Sequence, residues 1–215
     1  MKHNAWLLAL HWLWFFGLLL MGLAALWDKG ILPWMFATDN TYLCLLMVGI
    51  FLLTCLHCGY RSVFLSQQTH ALWDWEQGKR RDNGAVISRY LRDLQAIANP
   101  QEKQLTAELL SAQLRGQHEV GWFITGALIK LGMLGTVIGF VMMLGSMTHL
   151  DALDITQVQT LMSQMTQGMK IALNTTIIGL VGSMLLGIQY LMLDRSADKL
   201  VLDAVHASEV VHGAV

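Results

Sequence analysis

Charged residues, prolines and cysteines are all scarce in this chain of 215 residues. Asp, Glu, Lys and Arg make up 13% of it, which is about half of their share in an ordinary soluble domain. The 2 prolines leave long stretches without a helix breaker, and 3 cysteines are too few for a disulfide scaffold. The net charge of -1 provides no basic surface for nucleic acid. With 54% hydrophobic residues, the composition excludes a soluble or disordered chain and predicts an integral membrane protein.

Four apolar segments are long enough to cross a bilayer, which takes about 20 residues of helix. They cover residues 5–27, 41–60, 122–147 and 171–193. Their apolar residues are continuous rather than alternating, which predicts helices and argues against strands. The expected fold class is therefore an all-α integral membrane protein with four transmembrane helices and short cytoplasmic helices between the second and third spans.

Basic residues set the predicted orientation. Eight of the 14 Lys and Arg lie in residues 61–120, and loops rich in positive charge stay in the cytoplasm. Both termini are then predicted to be cytoplasmic as well. The chain divides into two peripheral spans (1–60), a cytoplasmic helical segment (61–120), a second pair of spans (121–194) and a short cytoplasmic tail (195–215).

The cytoplasmic segment shows apolar residues at helical spacing, interrupted by turn formers. The repeats are Ile87, Leu91, Leu94 and Ala98 in one stretch and Leu105, Leu109 and Ala112 in the next. Gly78–Gly84 is predicted to be a turn, and Asn99-Pro100 is predicted to break the helix between the two stretches. A loop is expected outside the membrane, at residues 148–159.

None of the 15 Asp and Glu lies inside the four apolar segments. A proton that crosses a bilayer usually needs a titratable side chain on its path, and the spans offer only His11 and His57 for this. The chain is therefore either no ion pathway, or it shares one with a partner that brings the acid. No span carries a paired acid and base or an activated nucleophile, so no catalytic residue is predicted and an enzyme is not expected.

Glycines distinguish the last two spans from the bulky first pair. Gly132, Gly135 and Gly139 form a small face on the third span, and Gly179 lies within a similar face on the fourth. Small faces let helix backbones approach closely in a membrane. These glycines are predicted to serve helix packing, which by itself says nothing about conduction.

Hydroxyl and amide side chains accompany the glycines. Asn174, Thr175 and Thr176 are consecutive on the fourth span, Ser183 follows on the same helix, and Thr136 lies on the third span. A single Thr can bond its own backbone, whereas Asn cannot satisfy itself so easily. Together these residues favour a polar lining between the two helices over packing alone, and they are the predicted pore-lining set.

Two lysines at the last two spans have alternative interpretations. Lys130 is an interfacial anchor if the third span begins near Leu128, or otherwise a charge in an inner vestibule. Lys170 is interfacial if the fourth helix begins near Ile171. If that helix begins earlier, Lys170 lines an outer vestibule together with Gln164, Thr166 and Gln167.

The cysteines and histidines of the first two spans are predicted to be packing residues. Cys44, Cys55 and Cys58 all lie in the second span, and His57 lies between the last two. Three ligands within one helical turn do not converge easily on one ion, so buried thiols are the expectation and no metal site is predicted.

Two segments resemble the signatures of one known family. Residues 131–139, LGMLGTVIG, are similar to the LGLLGTVxG signature of the MotA/TolQ/ExbB proton-channel family, in its ExbB and TolQ form. Residues 172–180, ALNTTIIGL, are similar to the ALxxTxxGL signature of the following helix in that family. The resemblance covers about residues 116–194, with both motifs in the right order, and the first two spans contribute nothing to it.

The resemblance implies a homo-oligomeric ring, typically a pentamer, around a dimer of single-span partners of the MotB, TolR or ExbD kind in a bacterial inner membrane. The partner brings an intramembrane Asp. Protons, or sodium ions in some members, pass between that Asp and two ring threonines, which correspond here to Thr136 and Thr176. The chain is thus expected to be a subunit of a motor, or stator, driven by the proton motive force, with no cofactor besides the transported ion. A non-conducting membrane scaffold is the alternative.

Three features separate the chain from particular branches of that family. Many ExbB-like and TolQ-like chains have an acidic residue near the outer end of the last span, where this chain has Lys170 before Ile171. MotA-type members carry a proline in each of the last two spans, and this chain has none there. Its four spans nevertheless resemble MotA, because ExbB and TolQ usually have three. The sequence therefore leaves open a sodium-driven or flagellar-stator-type motor, and it leaves the load undetermined.

Overall fold

The computed structural model describes residues 7–38, 41–77, 85–97, 99–116, 118–145 and 155–213. These residues form seven helices and no strand. The helices are α1 (Leu7–Asp28), α2 (Ile31–Thr38), α3 (Leu43–Glu76), α4 (Val86–Ala96), α5 (Pro100–Arg115), α6 (His118–Gly145) and α7 (Ile155–Gly213). Four of them, α1, α3, α6 and α7, are long and apolar enough to cross a membrane. The predicted all-α membrane fold with four spans is confirmed.

Two of the spanning helices are much longer than their apolar segments. Helix α3 has 34 residues and continues to Glu76, and α7 has 59 residues and runs from Ile155 to Gly213. Neither contains a proline, so nothing in the backbone chemistry ends them at the membrane surface. The predicted tail after residue 194 is therefore helical as far as Gly213, and residues 155–159, which were predicted to belong to the outer loop, are helical too. Residues 78–84, 98 and 148–154, for which a turn, a helical position and a loop were predicted, lie outside the described residues.

The chain folds into two compact units. Unit 1 comprises Met1–Gly17, Leu56–Gly121 and Ile188–Val215, and unit 2 comprises Leu18–Cys55 and Trp122–Gly187. Each of the four long helices contributes residues to both units. The short helices α4 and α5 belong to unit 1, and α2 belongs to unit 2.

In unit 1, α4 is the amphipathic helix that the spacing predicted. Ile87, Leu91 and Leu94 are buried, which confirms that these positions form one apolar face. The buried side chain of Gln68 on α3 accepts a hydrogen bond from the backbone N–H of Ile87 at 3.3 Å. That N–H has no partner within its own helix because it lies in the first turn. Burial also raises the pKa of Tyr90 on the same helix.

Helix α5 begins where the Asn99-Pro100 break was predicted. The Asn99 side chain accepts a hydrogen bond from the backbone N–H of Gln101 at 3.1 Å, and Pro100 takes the first helical position. Both are standard helix-start chemistry, since Asn caps the first turn and Pro has no N–H to satisfy. The predicted boundary is confirmed.

The apolar face chosen for α5 was wrong. Leu105 and Leu109 are 58% and 55% exposed, whereas Leu110 and Leu114 are 2% and 0% exposed. Both pairs are spaced by four residues, so periodicity alone could not distinguish them. Packing against the rest of unit 1 decides which leucines are buried.

The core of unit 2 is formed by α3, α6 and α7. Leu128 of α6 and Ile171 and Leu186 of α7 are 0% exposed, as is Met47 of α3. The outward sides of these helices are also apolar, as expected where the surroundings are lipid or further protein. Polar side chains inside this unit are therefore few, and each one is informative.

All three cysteines are buried thiols, with exposures of 0% for Cys44, 0% for Cys55 and 1% for Cys58, and none is part of a disulfide. Buried thiols in apolar surroundings are inert because the thiolate, which is the reactive form, is disfavoured there. We expect a membrane-permeant maleimide to leave all three unmodified in the folded protein and to label all three after unfolding in SDS. Mass spectrometry of the intact chain checks this, and labelling of any cysteine before unfolding would contradict the predicted burial.

Candidate functional site

Helices α6 and α7 run antiparallel in unit 2 and meet along their glycines. A methyl group placed on Gly139 would lie 2.5 Å from the carbonyl oxygen of Gly168 and 2.8 Å from the backbone N of Ala172. One placed on Gly179 would lie 2.8 Å from the carbonyl oxygen of Leu128. Real side-chain carbons do not come this close to backbone atoms, so only glycine fits at these two positions. The helix backbones are in direct contact.

Between those two contacts, Thr175 fills the space left by two further glycines. Its side chain lies against Gly135, and a methyl group on Gly132 would lie 3.2 Å from the Thr175 carbonyl oxygen. Thr175 is 0% exposed, and its hydroxyl donates to the Ile171 carbonyl at 2.9 Å. This threonine packs the helix pair together from inside.

Thr136 and Thr176 differ from Thr175 because both are partly exposed. Each donates its hydroxyl hydrogen to its own helix, Thr136 to the carbonyl of Met133 and Thr176 to that of Ala172 at 2.9 Å. A hydroxyl has one hydrogen and two lone pairs. In this arrangement the oxygens can therefore accept a hydrogen bond or face a cation, and they can donate to a new acceptor only after rotating.

Asn174 and Ser183, the other two residues of the predicted lining, are buried within the chain at 7% and 5% exposure. The amide nitrogen of Asn174 has no hydrogen-bond partner among the described residues. The structure thus separates the predicted set into two partly exposed hydroxyls and three buried side chains. Conduction by any of them remains a prediction.

A helix start does not mark a membrane boundary, so the interfacial and the vestibule interpretations of Lys170 both stay predictions, although α7 begins at Ile155, well before Ile171. The lysine lies in the interior of α7. Its ammonium group lies 5.5 Å from the centre of the Trp34 ring, a cation–π contact with the short helix α2. An open pocket of about 340 Å³ lies beside it, lined by Met162, Ser163, Thr166, Gln167 and Lys170. Thr166 and Gln167 were predicted for such a vestibule, whereas Gln164 is not among its lining residues.

Lys130 is exposed and lies on α6 two residues before Gly132. Helix α6 begins at His118, so Lys130 is in the interior of a helix rather than at its end. A helix start does not mark a membrane boundary, and both interpretations of Lys130 stay predictions.

A second polar cluster, in unit 1, was not singled out by the sequence. It contains the buried side chains of Arg61 and His118, together with Asp194. Arg61 and Asp194 directly follow apolar segments, and His118 lies four residues before one. This position near the ends of the spans was the available signal, but only the fold shows that the three residues meet. Also in unit 1, the ion pair between Arg115 of α5 and Asp198 of α7 raises the pKa of Arg115 through its hydrogen bond.

The fold and the site together define a class. The chain is a multi-span α-helical membrane protein whose last two spans are joined by glycine contacts and carry threonine hydroxyls in place of intramembrane acids. A model of the MotA/TolQ/ExbB proton channel family matches residues 85–205, more than half of the chain, and the chain belongs to this family. Neither the search of curated proteins nor the search of solved structures found a match.

The match runs from the start of α4 to within α7, so it includes helices α4 and α5, which the two signatures did not reach. Helices α1, α2 and α3 lie outside it. Membership of a proton-channel family implies a role in ion-driven motion or energy transduction across a membrane.

Proposed function

We propose that this chain is the ring-forming subunit of an inner-membrane motor or energy transducer driven by the proton motive force. Several copies, five in our proposal, surround a dimer of a single-span partner of the MotB, TolR or ExbD kind. The ring conducts protons together with an Asp supplied by that partner, and Thr136 and Thr176 are the ring residues that contact the Asp.

The observation that carries this proposal is the chemistry of the glycine-joined helix pair. The apolar segments 122–147 and 171–193 contain no Asp or Glu, yet two partly exposed hydroxyls, Thr136 and Thr176, lie on these apolar helices. A fixed carboxylate in the ring would compete with the partner's Asp for the proton. Threonine hydroxyls do not titrate, so they can form hydrogen bonds with the Asp without taking its proton.

The geometry of the Thr176 hydroxyl suggests how it bonds the protonated and the ionised Asp in turn. As observed, Thr176 donates to the carbonyl of Ala172 and presents lone pairs, which suits the O–H of a protonated Asp. When the Asp loses its proton, the hydroxyl turns and donates to the carboxylate instead. A hydrogen bond to a charged group contributes about 1.5–3 kcal/mol, and an ion moved through 100 mV releases about 2.3 kcal/mol. Because the two are similar in size, the hydroxyl stabilises the charged Asp without trapping it.

The pocket beside Lys170 is proposed to be the outer vestibule of this pathway. Its lining residues Ser163, Thr166 and Gln167 are polar, although they lie on a helix long and apolar enough to span a membrane. Lys130 would then mark the inner end, where its flexible stem reaches the polar interface.

Reconstitution tests the proposal as a whole. The chain is co-expressed with the protein of a neighbouring gene that has one span and an intramembrane Asp, and the purified complex is placed in liposomes. We expect proton influx, read with an enclosed pH dye, only when both proteins are present and a membrane potential is imposed. Flux by this chain alone would refute the shared pathway. An assembled complex that never conducts, with proton or sodium gradients, would favour the scaffold.

A further inference from the structure

The polar cluster of unit 1 joins three helices through one imidazole ring. Nδ1 of His118, the first residue of α6, lies 2.7 Å from a carboxylate oxygen of Asp194 on α7. Its Nε2 lies 3.5 Å from the guanidinium of Arg61 on α3. His118 and Arg61 are 2% and 3% exposed, so the contact between these two side chains is shielded from water, whereas the Asp194 side chain is 27% exposed.

These partners define the protonation of the ring. A guanidinium has only donors, so the Nε2 atom that faces Arg61 must present its lone pair. An ionised carboxylate has only acceptors, so the Nδ1 atom that faces Asp194 must carry the hydrogen. His118 is therefore the neutral tautomer with its proton on Nδ1, between one positive and one negative side chain whose charges compensate.

Arg61 has a second bond, which connects the cluster to α5. The same guanidinium nitrogen donates to the Leu114 carbonyl at 2.6 Å. Leu114 is the second-last residue of α5, and carbonyls in a last helical turn lack partners within their own helix. The guanidinium also lies 4.8 Å from the centre of the Phe64 ring. Arg61 thus caps the end of α5 while it contacts the start of α6.

A proton added to Nε2 has no favourable place in this arrangement. It would turn the acceptor into a donor that faces the donor of Arg61, and it would put two positive charges beside the single carboxylate of Asp194. The start of a helix disfavours a positive charge as well.

Two further ionisable side chains of unit 1, among the residues that the structure describes, have partners of their own. On α3, His57 bonds the hydroxyl of Tyr190 at 3.1 Å, and Tyr190 belongs to α7. The next carboxylate along α7, Asp198, is paired with Arg115 of α5. Proton uptake by His118 must therefore displace Arg61.

We propose that His118 is a proton-binding switch. In its neutral form it joins Arg61 to Asp194 and so holds the end of α5 and the start of α6 against α7, and proton uptake at Nε2 releases Arg61 and the end of α5. Its consequence for ion flow rests on the proposed function, because α6 and α7 also carry Thr136 and Thr176. The switch itself does not depend on conduction.

The test uses the full chain in lipid nanodiscs with ¹⁵N-labelled histidine, taken from about pH 8 to about pH 4.5. This interval extends below the range in which an ordinary histidine titrates, because burial and Arg61 disfavour the added proton. At the upper end we expect the Nδ1–H tautomer for His118. At the lower end we expect both ring nitrogens to be protonated. Over the same interval, amide exchange in the last turn of α5, expressed relative to the intrinsic exchange rate at each pH, should rise about tenfold or more, since a hydrogen bond from a charged group is lost.

Two variants locate the effect. His118→Gln removes the titrating ring and should abolish the pH step in exchange, whereas His206→Gln, which removes an exposed histidine of α7 in the same unit, should leave it unchanged. A proton on Nε2 at the upper pH, exchange that does not vary with pH, or a step that survives His118→Gln would each overturn the proposal. If His118→Gln does not fold, the two measurements on the unmodified chain still decide. Neither measurement requires a partner or ion flux, so failure of the switch and failure of the conduction proposal are distinguishable.

Discussion

Replacing Thr176 by Val is expected to reduce ion flux driven by the proton motive force strongly while leaving assembly intact. Valine keeps the shape of threonine but cannot donate to a carboxylate. The lost hydrogen bond to a charged group corresponds to about 1.5–3 kcal/mol, which is about a tenfold to hundredfold reduction in rate if it is made where the Asp is charged. Proton influx into liposomes that contain the complete complex measures the effect, and size-exclusion chromatography of the same preparation measures assembly.

Three further variants make this result specific. Thr176→Ser keeps the hydroxyl and should retain flux. Thr136→Val should reduce flux less than Thr176→Val does. Thr175→Val is the matched comparison, because Thr175 is the adjacent threonine but is buried against Gly135, so its replacement by the isosteric Val should have the smallest effect. Full activity of both Thr136→Val and Thr176→Val would refute the assignment of the pore threonines.

The four spans could be predicted from the sequence because a bilayer imposes a length of apolar helix that hydropathy reads directly. The ends of the helices could not. Residues 195–213 are polar enough to leave the membrane, and nothing in them ends a helix, so α7 simply continues. For α5, the leucines at 105 and 109 and those at 110 and 114 have the same spacing, and the buried pair depends on what the helix packs against.

For the candidate site, too, some features could be predicted from the sequence and others could not. Its residue types and their order along the chain were readable, because glycines and hydroxyls at helical spacing are unusual in otherwise apolar spans. The exposure of each side chain could not be predicted. Thr175 and Thr176 are adjacent in sequence, but Thr175 faces Gly135 and Thr176 is partly exposed. The meeting of Arg61, His118 and Asp194 was also hidden, because it brings together residues that are far apart along the chain.

Among substitutions that add a single methyl group to the helix pair, Gly139→Ala is expected to lower the stability of the protein most. The added carbon would lie 2.5 Å from the Gly168 carbonyl and 2.8 Å from the Ala172 nitrogen. Both are backbone atoms, so neither can turn aside as a flexible side chain could, and α6 and α7 must separate. Overpacking of this kind costs about 1–3 kcal/mol, and for a chain of this length each 1 kcal/mol lowers the Tm by about 2–4 °C.

Gly126→Ala is the matched control for that prediction. Gly126 lies on the same helix, but a methyl group there meets nothing within 4 Å. Alanine also favours a helix over glycine by about 0.8–1 kcal/mol, so this variant should be as stable as the unmodified chain or more stable. Thermal unfolding of both variants in one detergent, followed by circular dichroism, gives the comparison. Equal Tm values would show that the helices are not in backbone contact at Gly139. A large decrease in Tm for Gly139→Ala, with none for Gly126→Ala, would identify Gly139 as a residue that joins the two helices. A Thr176→Val variant that assembles but has lost most of its flux would identify Thr176 as a residue of the ion pathway.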